Sequence, residues 1–263
     1  NGFAEPLVVT AGVPKLLTIE LELTSVGNTS GTSGAHLTTA YSDSANNLVR
    51  PSSTGTTENP TDAGAVAGNA LYAYKAIPTV SLVALPSSVL GAGEKTISKF
   101  TIATNGTGTI AWKKIIVDVV KTATPTFAAN TVKLYDSDTG LEVTGAAAFV
   151  GGTDCSGASL SCTVQFAVGT DADDNVEQQI SGSKTYELRA TIGGAPAAND
   201  YINTRILGSG VGHVNPAVYP TGEASGNFIW SDVSALNHNT GTSDWNNDNL
   251  VRTIPTTTQS LTK

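Results

Sequence analysis

The sequence predicts an all-β protein: an antiparallel β-sandwich, jelly-roll or immunoglobulin-like, with an extended N-terminal arm. Three observations carry that expectation. Charged residues make up only 14% of the 263-residue chain, against roughly 25% in an ordinary soluble domain. Thr, Ser, Asn and Gly must therefore cover the surface, and Thr favours strands because its branched Cβ packs on a pleated sheet. Short apolar or alternating runs recur between compact turn signals, among them Asn105-Gly106, Asp136-Ser-Asp-Thr-Gly140, Gly151-Gly152, Gly193-Gly194 and Gly208-Ser-Gly210. No run alternates a strand with a helical pattern of about 10–15 residues, which disfavours α/β architectures.

The cleanest alternation is Leu17-Thr-Ile-Glu-Leu-Glu-Leu-Thr24. Leu17, Ile19, Leu21 and Leu23 share one face and Thr18, Glu20, Glu22 and Thr24 the other, the pattern of a strand with a single buried side. Ahead of it, Pro6 and Pro14 bracket Leu7-Val-Val-Thr10, which proline confines to an edge or an arm. Residues 27–68 turn to Gly, Ser, Thr and Asn, a linker composition. Ala63 to Tyr74 has the alanine content for one or two helical turns, weakened by Gly64 and Gly68. The body then reads as strands at 79–85, 95–104, 109–120, 131–135, 141–150, 162–168, 184–192, 201–207, 227–231 and 249–253. Hence two regions are expected, an N-terminal arm or extension over 1–75 carrying strand 16–24 and a main β-sandwich over 76–263.

A formal charge of −8 disfavours nucleic acid and anionic membrane as partners, since both select clustered Lys and Arg. No run of 18 or more apolar residues predicts a membrane span. A chain starting at Asn1 with no methionine is expected of a secreted protein whose signal peptide has been removed. Cys155 and Cys162 are seven positions apart around a Gly/Ser-rich loop. In an oxidising exterior they would form a local disulfide, and in a cytosol they would stay reduced.

Catalytic signatures are missing: there is no Gly-x-Ser-x-Gly elbow, no His-Glu-x-x-His and no phosphate-binding Gly-x-x-x-x-Gly-Lys run. Gly208-Ser-Gly-Val-Gly212 reads as a turn, because no helix follows it. Non-enzymatic work is expected, with no cofactor other than calcium. Calcium ligands could come from Asp171, Asp173 and Asp174, and similar oxygen-rich loops occur at Asp136-Ser-Asp138 and Asp244-Trp-Asn-Asn-Asp248. Solvated Asx turns explain the same pattern. Asn28 and Asn105 open glycosylation sequons. Lys113, Lys114 and Asp118 share one apolar strand, which raises an intramolecular isopeptide bond as an expectation. Trp112, Trp230 and Trp245 are expected to plug the core.

Tyr74-Lys-Ala-Ile-Pro-Thr-Val-Ser-Leu82, Lys99-Phe-Thr-Ile-Ala103, Trp112-Lys-Lys-Ile-Ile-Val-Asp118, Phe228-Ile-Trp-Ser-Asp-Val-Ser-Ala235 and Thr242-Ser-Asp-Trp-Asn-Asn-Asp-Asn-Leu-Val251 together resemble the β-sandwich module of large predicted surface, S-layer-like proteins of uncultured prokaryotes. The resemblance covers residues 72–263. It implies a cell-surface location and a structural role. Three roles are then open: subunit of an extracellular filament that donates its N-terminal strand to a neighbouring copy, planar S-layer or cell-wall protein, and adhesin or glycan-binding module. For Leu17 to Leu23, pairing within its own domain stands beside donation.

Overall fold

The computed structural model describes residues 8–10, 12–16, 18, 20, 22, 26–27, 31–41, 66–106, 108–127, 131–143, 146–150, 160–167, 177–216 and 226–263. Two small antiparallel ribbons precede the body. β1 (His36–Leu37) pairs with β4 (Leu71–Tyr72), and β2 (Ala40–Tyr41) pairs with β3 (Val66–Ala67). Of the span 63–74, in which helical turns are expected, the described residues 66–74 carry two short strands instead. Pairing with 36–41 supplies backbone partners that a short, glycine-interrupted alanine segment could not supply for itself.

The body is an antiparallel sandwich of two sheets. The smaller holds β5 (Pro78–Leu82), β6 (Gly93–Thr104), β12 (Ser183–Ile192) and β8 (Lys133–Asp136), in that order. The larger is organised on β7 (Thr109–Lys121), whose thirteen residues accept two strands along each side. β10 (Ser161–Ala167) and β11 (Gln178–Ser181) pair with one side, β13 (Tyr201–Ile206) and β14 (Phe228–Ser231) with the other. Outside these lie β9 (Ala146–Val150) on β10, β15 (Trp245–Asn246) on β14, and β16 (Gln259–Thr262) on β13.

The alternation of β7 explains its central place. Ile110 and Trp112, then Ile115, Val117 and Val119, all enter the sandwich core. The switch from even to odd numbers needs one extra residue, and the register against β14 slips there, with Trp230 opposite Trp112 but Ile229 opposite Lys114. Such a bulge re-aims a side chain, and here it puts Lys113 against Trp245 on the outer face, 4.2 Å from the ring centroid. Facing side chains of the smaller sheet include Ile97, Phe100, Ile102, Tyr186 and Leu188. Polar groups inside are satisfied across the sandwich: Trp112 Nε1 donates to Tyr186 Oη at 3.1 Å, and Thr204 Oγ1 donates to the Ile97 carbonyl at 2.8 Å. All three tryptophans are fully buried, as expected of core plugs.

One expected strand is corrected. Residues 249–253 do not extend a sheet; Asp248–Leu250 is a turn of 3-10 helix. Asp248 accepts from the backbone N–H of Ser209 at 2.7 Å and from its hydroxyl at 2.5 Å, and this side-chain acceptor competes with strand formation.

Candidate functional site: an exposed arm and the edges of a closed sandwich

No residue of the main hydrophobic cluster precedes Ala76, so among the described residues the core is assembled without the N-terminal segment. Among the described residues the change comes between Glu22 and Ser33, with Val26 and Gly27 half-buried and Gly27 in a β-bridge. At Ser33 the chain is clamped to the body. Asn215 Nδ2 donates to the Ser33 carbonyl at 2.8 Å, and Asn246 Nδ2 donates to Ser33 Oγ at 3.1 Å. Gly34 has φ +73°, and a Cβ there would meet Asn215 Nδ2 at 2.8 Å and Asn246 Oδ1 at 2.9 Å, so only glycine fits this seat. A row of rings continues the clamp: His36 lies 5.5 Å from Tyr72, Tyr72 4.4 Å from His213, and Tyr74 5.1 Å from Trp230. Burial, with His36 nearby, holds the His213 imidazole below its ordinary value.

Before residue 23 every described residue is exposed. The apolar ones are conspicuous: Val8, Val9, Val13 and Leu16 are 73%, 53%, 56% and 95% exposed. Single exposed apolar residues are ordinary, whereas four within nine positions of one arm form a patch that calls for a covering surface. Thr18, Glu20 and Glu22, the expected polar face of the strand, are exposed too. Leu17, Ile19, Leu21 and Leu23 lie outside the described residues.

A sheet edge presents unpaired N–H and C=O groups, which proteins normally cover. β8 is covered by its own chain folding back, with Asp136 N–H donating to Leu141 O at 2.9 Å and Val143 N–H to Leu134 O at 2.8 Å. β16 is covered by residues 88–90, through Leu90 N–H to Thr262 O and Thr262 N–H to Ser88 O, both 2.8 Å. β5 begins with Pro78, which has no N–H, and its Val80 N–H donates to Thr253 Oγ1 at 2.9 Å. Beside β5 runs an apolar groove of about 360 Å³, lined by Leu71, Tyr74, Ile77, Pro78 and Thr253 among others. β15 is followed at once by Asn247, which bonds to Val214. β9 pairs with β10 on one side and, among the described residues, with nothing on the other.

On the outer face of the larger sheet a second small cluster, Ala111, Ile229 and Trp245, is roofed by the 231–247 loop. Four buried ionisable groups are gathered there. His238 Nδ1 donates to Asp244 Oδ2 at 2.9 Å, while its Nε2 sits 3.1 Å from Glu177 Oε1. Asp244 also accepts from Ser231 Oγ at 2.9 Å and from the Ala235 N–H at 3.1 Å. Lys113 donates to the Thr240 carbonyl at 3.1 Å. Burial opposes charge on His238, but the two carboxylates outweigh it and raise its pKa to about 9. Burial likewise opposes charge on Asp244, and its His238, Thr242 and Ala235 donors hold the carboxyl well below the usual carboxylate range. His238 between Asp244 and Glu177, and Lys113 on the Thr240 carbonyl, hold the loop onto the sheet.

The other expected site residues fall as follows. Cys162 is buried at the head of β10 and disulfide-bonded, while Cys155 lies outside the described residues, as do Asn28, Asp171, Asp173 and Asp174. Asn105 is exposed in the turn between β6 and β7, where its Oδ1 accepts from the Ile77 N–H at 2.8 Å. Asp136 accepts from the N–H groups of Asp138 and Thr139 and pairs with Lys184 at 2.8 Å, which is the Asx-turn reading. Asp118 pairs with Arg205 at 2.9 Å, and Lys113 and Lys114 are buried on the same strand. Among the described residues no group of three His, Cys, Asp or Glu side chains is placed to hold a metal, and no helix is long and apolar enough to cross a membrane.

No family model and no curated protein matches the chain. A partial likeness to a solved structure is found with the T6 backbone pilin of serotype M6 Streptococcus pyogenes, a modular three-domain pilin decorated with variable loops and extensions. Identity is 9%, the match covers 76% of this chain and 36% of that one, and the TM-score is 0.22. A likeness at that level assigns neither fold nor function.

Proposed function

We propose that this chain is a structural subunit of an extracellular, pilus-like filament on a prokaryotic cell surface, polymerising by donation of its N-terminal strand to a neighbouring copy. Its work is mechanical and involves no catalysis. The observation that carries this reading is an arm whose described residues before 23 are exposed, Val8, Val9, Val13 and Leu16 among them, beside a sandwich whose buried core, among the described residues, begins at Ala76 with Tyr74 packed against it. A donated strand satisfies backbone hydrogen bonds along its length and seats alternate side chains in the acceptor. Leu17, Ile19, Leu21 and Leu23 are the knobs. Four such side chains, at roughly 1.5–3 kcal/mol each, give a gross gain of about 6–12 kcal/mol per joint before ordering costs. Donation from copy to copy is heterologous, so it builds an open fibre rather than a closed ring. The Cys155–Cys162 pairing belongs to the same reading, since a disulfide persists in an oxidising exterior.

Deleting residues 1–25 tests it. The truncated chain is expected to be a folded monomer by near-ultraviolet circular dichroism and light scattering, at concentrations where the full chain forms threads under negative stain. An unfolded truncated chain would place the strand in its own domain, and one that assembles like the parent would leave the arm with no role in assembly. Flat arrays in place of threads would favour the planar S-layer reading.

A further inference from the structure

Building on strand donation, we propose that the acceptor is β9, Ala146–Val150, so that the arm of a second copy extends the larger sheet beyond its present edge. The argument is one of elimination among edges. β8 and β16 have their outer hydrogen bonds filled by residues 141–143 and 88–90 of the same chain. At β5 a proline and the Thr253 hydroxyl interrupt the ladder. β15 is two residues long and runs straight into the Asn247–Val214 contacts. β11 shares the side of the sheet with β9 but is only four residues long, ending where Gly182, at φ +85°, turns the chain toward the smaller sheet.

β9 differs in that, among the described residues, its outer edge has no pairing strand. It makes five consecutive pairs with β10, from Ala146 opposite Ala167 to Val150 opposite Thr163, and its sequence Ala-Ala-Ala-Phe-Val holds no proline and no charge. Those are the two commonest devices by which an edge is made unattractive to a further strand. Five residues at about 3.4 Å give some 17 Å of ladder, within the span of the alternation from Leu17 to Leu23. The arm brings the complementary properties. In its sequence Leu17, Ile19, Leu21 and Leu23 alternate with Thr18, Glu20 and Glu22, and these last three are exposed, so the polar side stays in water once the strand is laid down.

Photo-cross-linking tests this with the full chain. p-Benzoylphenylalanine replaces Glu20, a position on the polar face and outside the core, so the body's folding is untouched. The substituted chain is assembled with unsubstituted chain labelled with heavy nitrogen, irradiated and digested. The expected product joins a light arm peptide to a heavy peptide containing residues 146–150. In parallel, amide hydrogen exchange at 146–150 should slow in fibres relative to the chain lacking residues 1–25. A heavy partner from elsewhere, such as the groove beside β5, with exchange at 146–150 unchanged, overturns the acceptor assignment and leaves donation standing. Cross-links only within one copy overturn donation itself, and β9 as its acceptor with it.

Discussion

Truncating Trp230 to alanine should lower the free energy of unfolding by about 3–5 kcal/mol, the range for removing a large aromatic from a packed core. Against a total of roughly 5–15 kcal/mol for a domain, that loss takes a large share. Three contacts converge on this ring. It is fully buried in the main cluster, its Nε1 donates to the Asn247 carbonyl at 2.9 Å, and Tyr74 packs on it at 5.1 Å. Removing it opens a cavity beside β7, orphans a buried carbonyl, and takes away the support of the ring row that holds residues 33–37 and 71–74. Urea denaturation should therefore show the destabilisation, and limited proteolysis should show faster cleavage near residues 31–41 than in the parent. Trp230→Phe separates the effects: it keeps ring packing, loses the N–H, and should cost about 1–3 kcal/mol for the unsatisfied acceptor. A loss under about 1 kcal/mol for the alanine variant would mean that the site collapses around the gap and the ring is not a keystone.

Much of this framework is legible in the sequence, and the failures have identifiable causes. β6, β7, β12 and β13 are runs whose alternation or apolar density declares a half-buried strand, and each appears within a few residues of its expected bounds. β16 and β11 were missed because Gln259-Ser-Leu-Thr262 and Gln178-Gln-Ile-Ser181 each carry one apolar residue, Leu261 and Ile180. Burial of that one residue and a neighbour's ladder decide the matter, and no local pattern records either. The strand expected over 249–253 failed for the opposite reason, a strand-like composition overruled by Asp248 bonding to Ser209, 39 residues away. Glu177, His238 and Asp244 escaped notice as a group because nothing in their spacing joins them. Asp244 instead looked like one oxygen of a calcium loop, and in the structure its carboxylate is taken by His238, Ser231 and Thr242. That β16 has its outer hydrogen bonds filled by residues 88–90 while β9 has, among the described residues, no outer partner is a property of sheet order and is invisible before the sheets are assembled.

Replacing Asp244 by asparagine should cost about 3–5 kcal/mol, the penalty for breaking a buried ion pair by removing one partner, and the cost should depend on pH in a specific direction. In the parent, His238 has its pKa raised from 6.5 to about 9. A raised value stabilises the fold fully below the unfolded-state pKa, so this contribution is complete below 6.5 and is lost as pH climbs through about 9. Asp244 is depressed from an ordinary 3.8, so its contribution is present above that value and is lost as the solution is made more acidic. The parent should thus be most stable in the mildly acidic window between the two limits and weaken on both sides. In Asp244→Asn the imidazolium loses its better-aligned partner, since Glu177 meets Nε2 as an ion pair without hydrogen-bond geometry. The deficit relative to the parent should be largest inside the window and narrow above pH 9, where the parent's imidazole is itself neutral. Urea midpoints measured inside the window and beyond each limit read this directly. A deficit equally large in alkali would show that Asp244 acts through packing and its Ser231 and Thr242 hydrogen bonds alone. The charge cluster would then have no part in fastening the 231–247 loop to the outer face of the sheet.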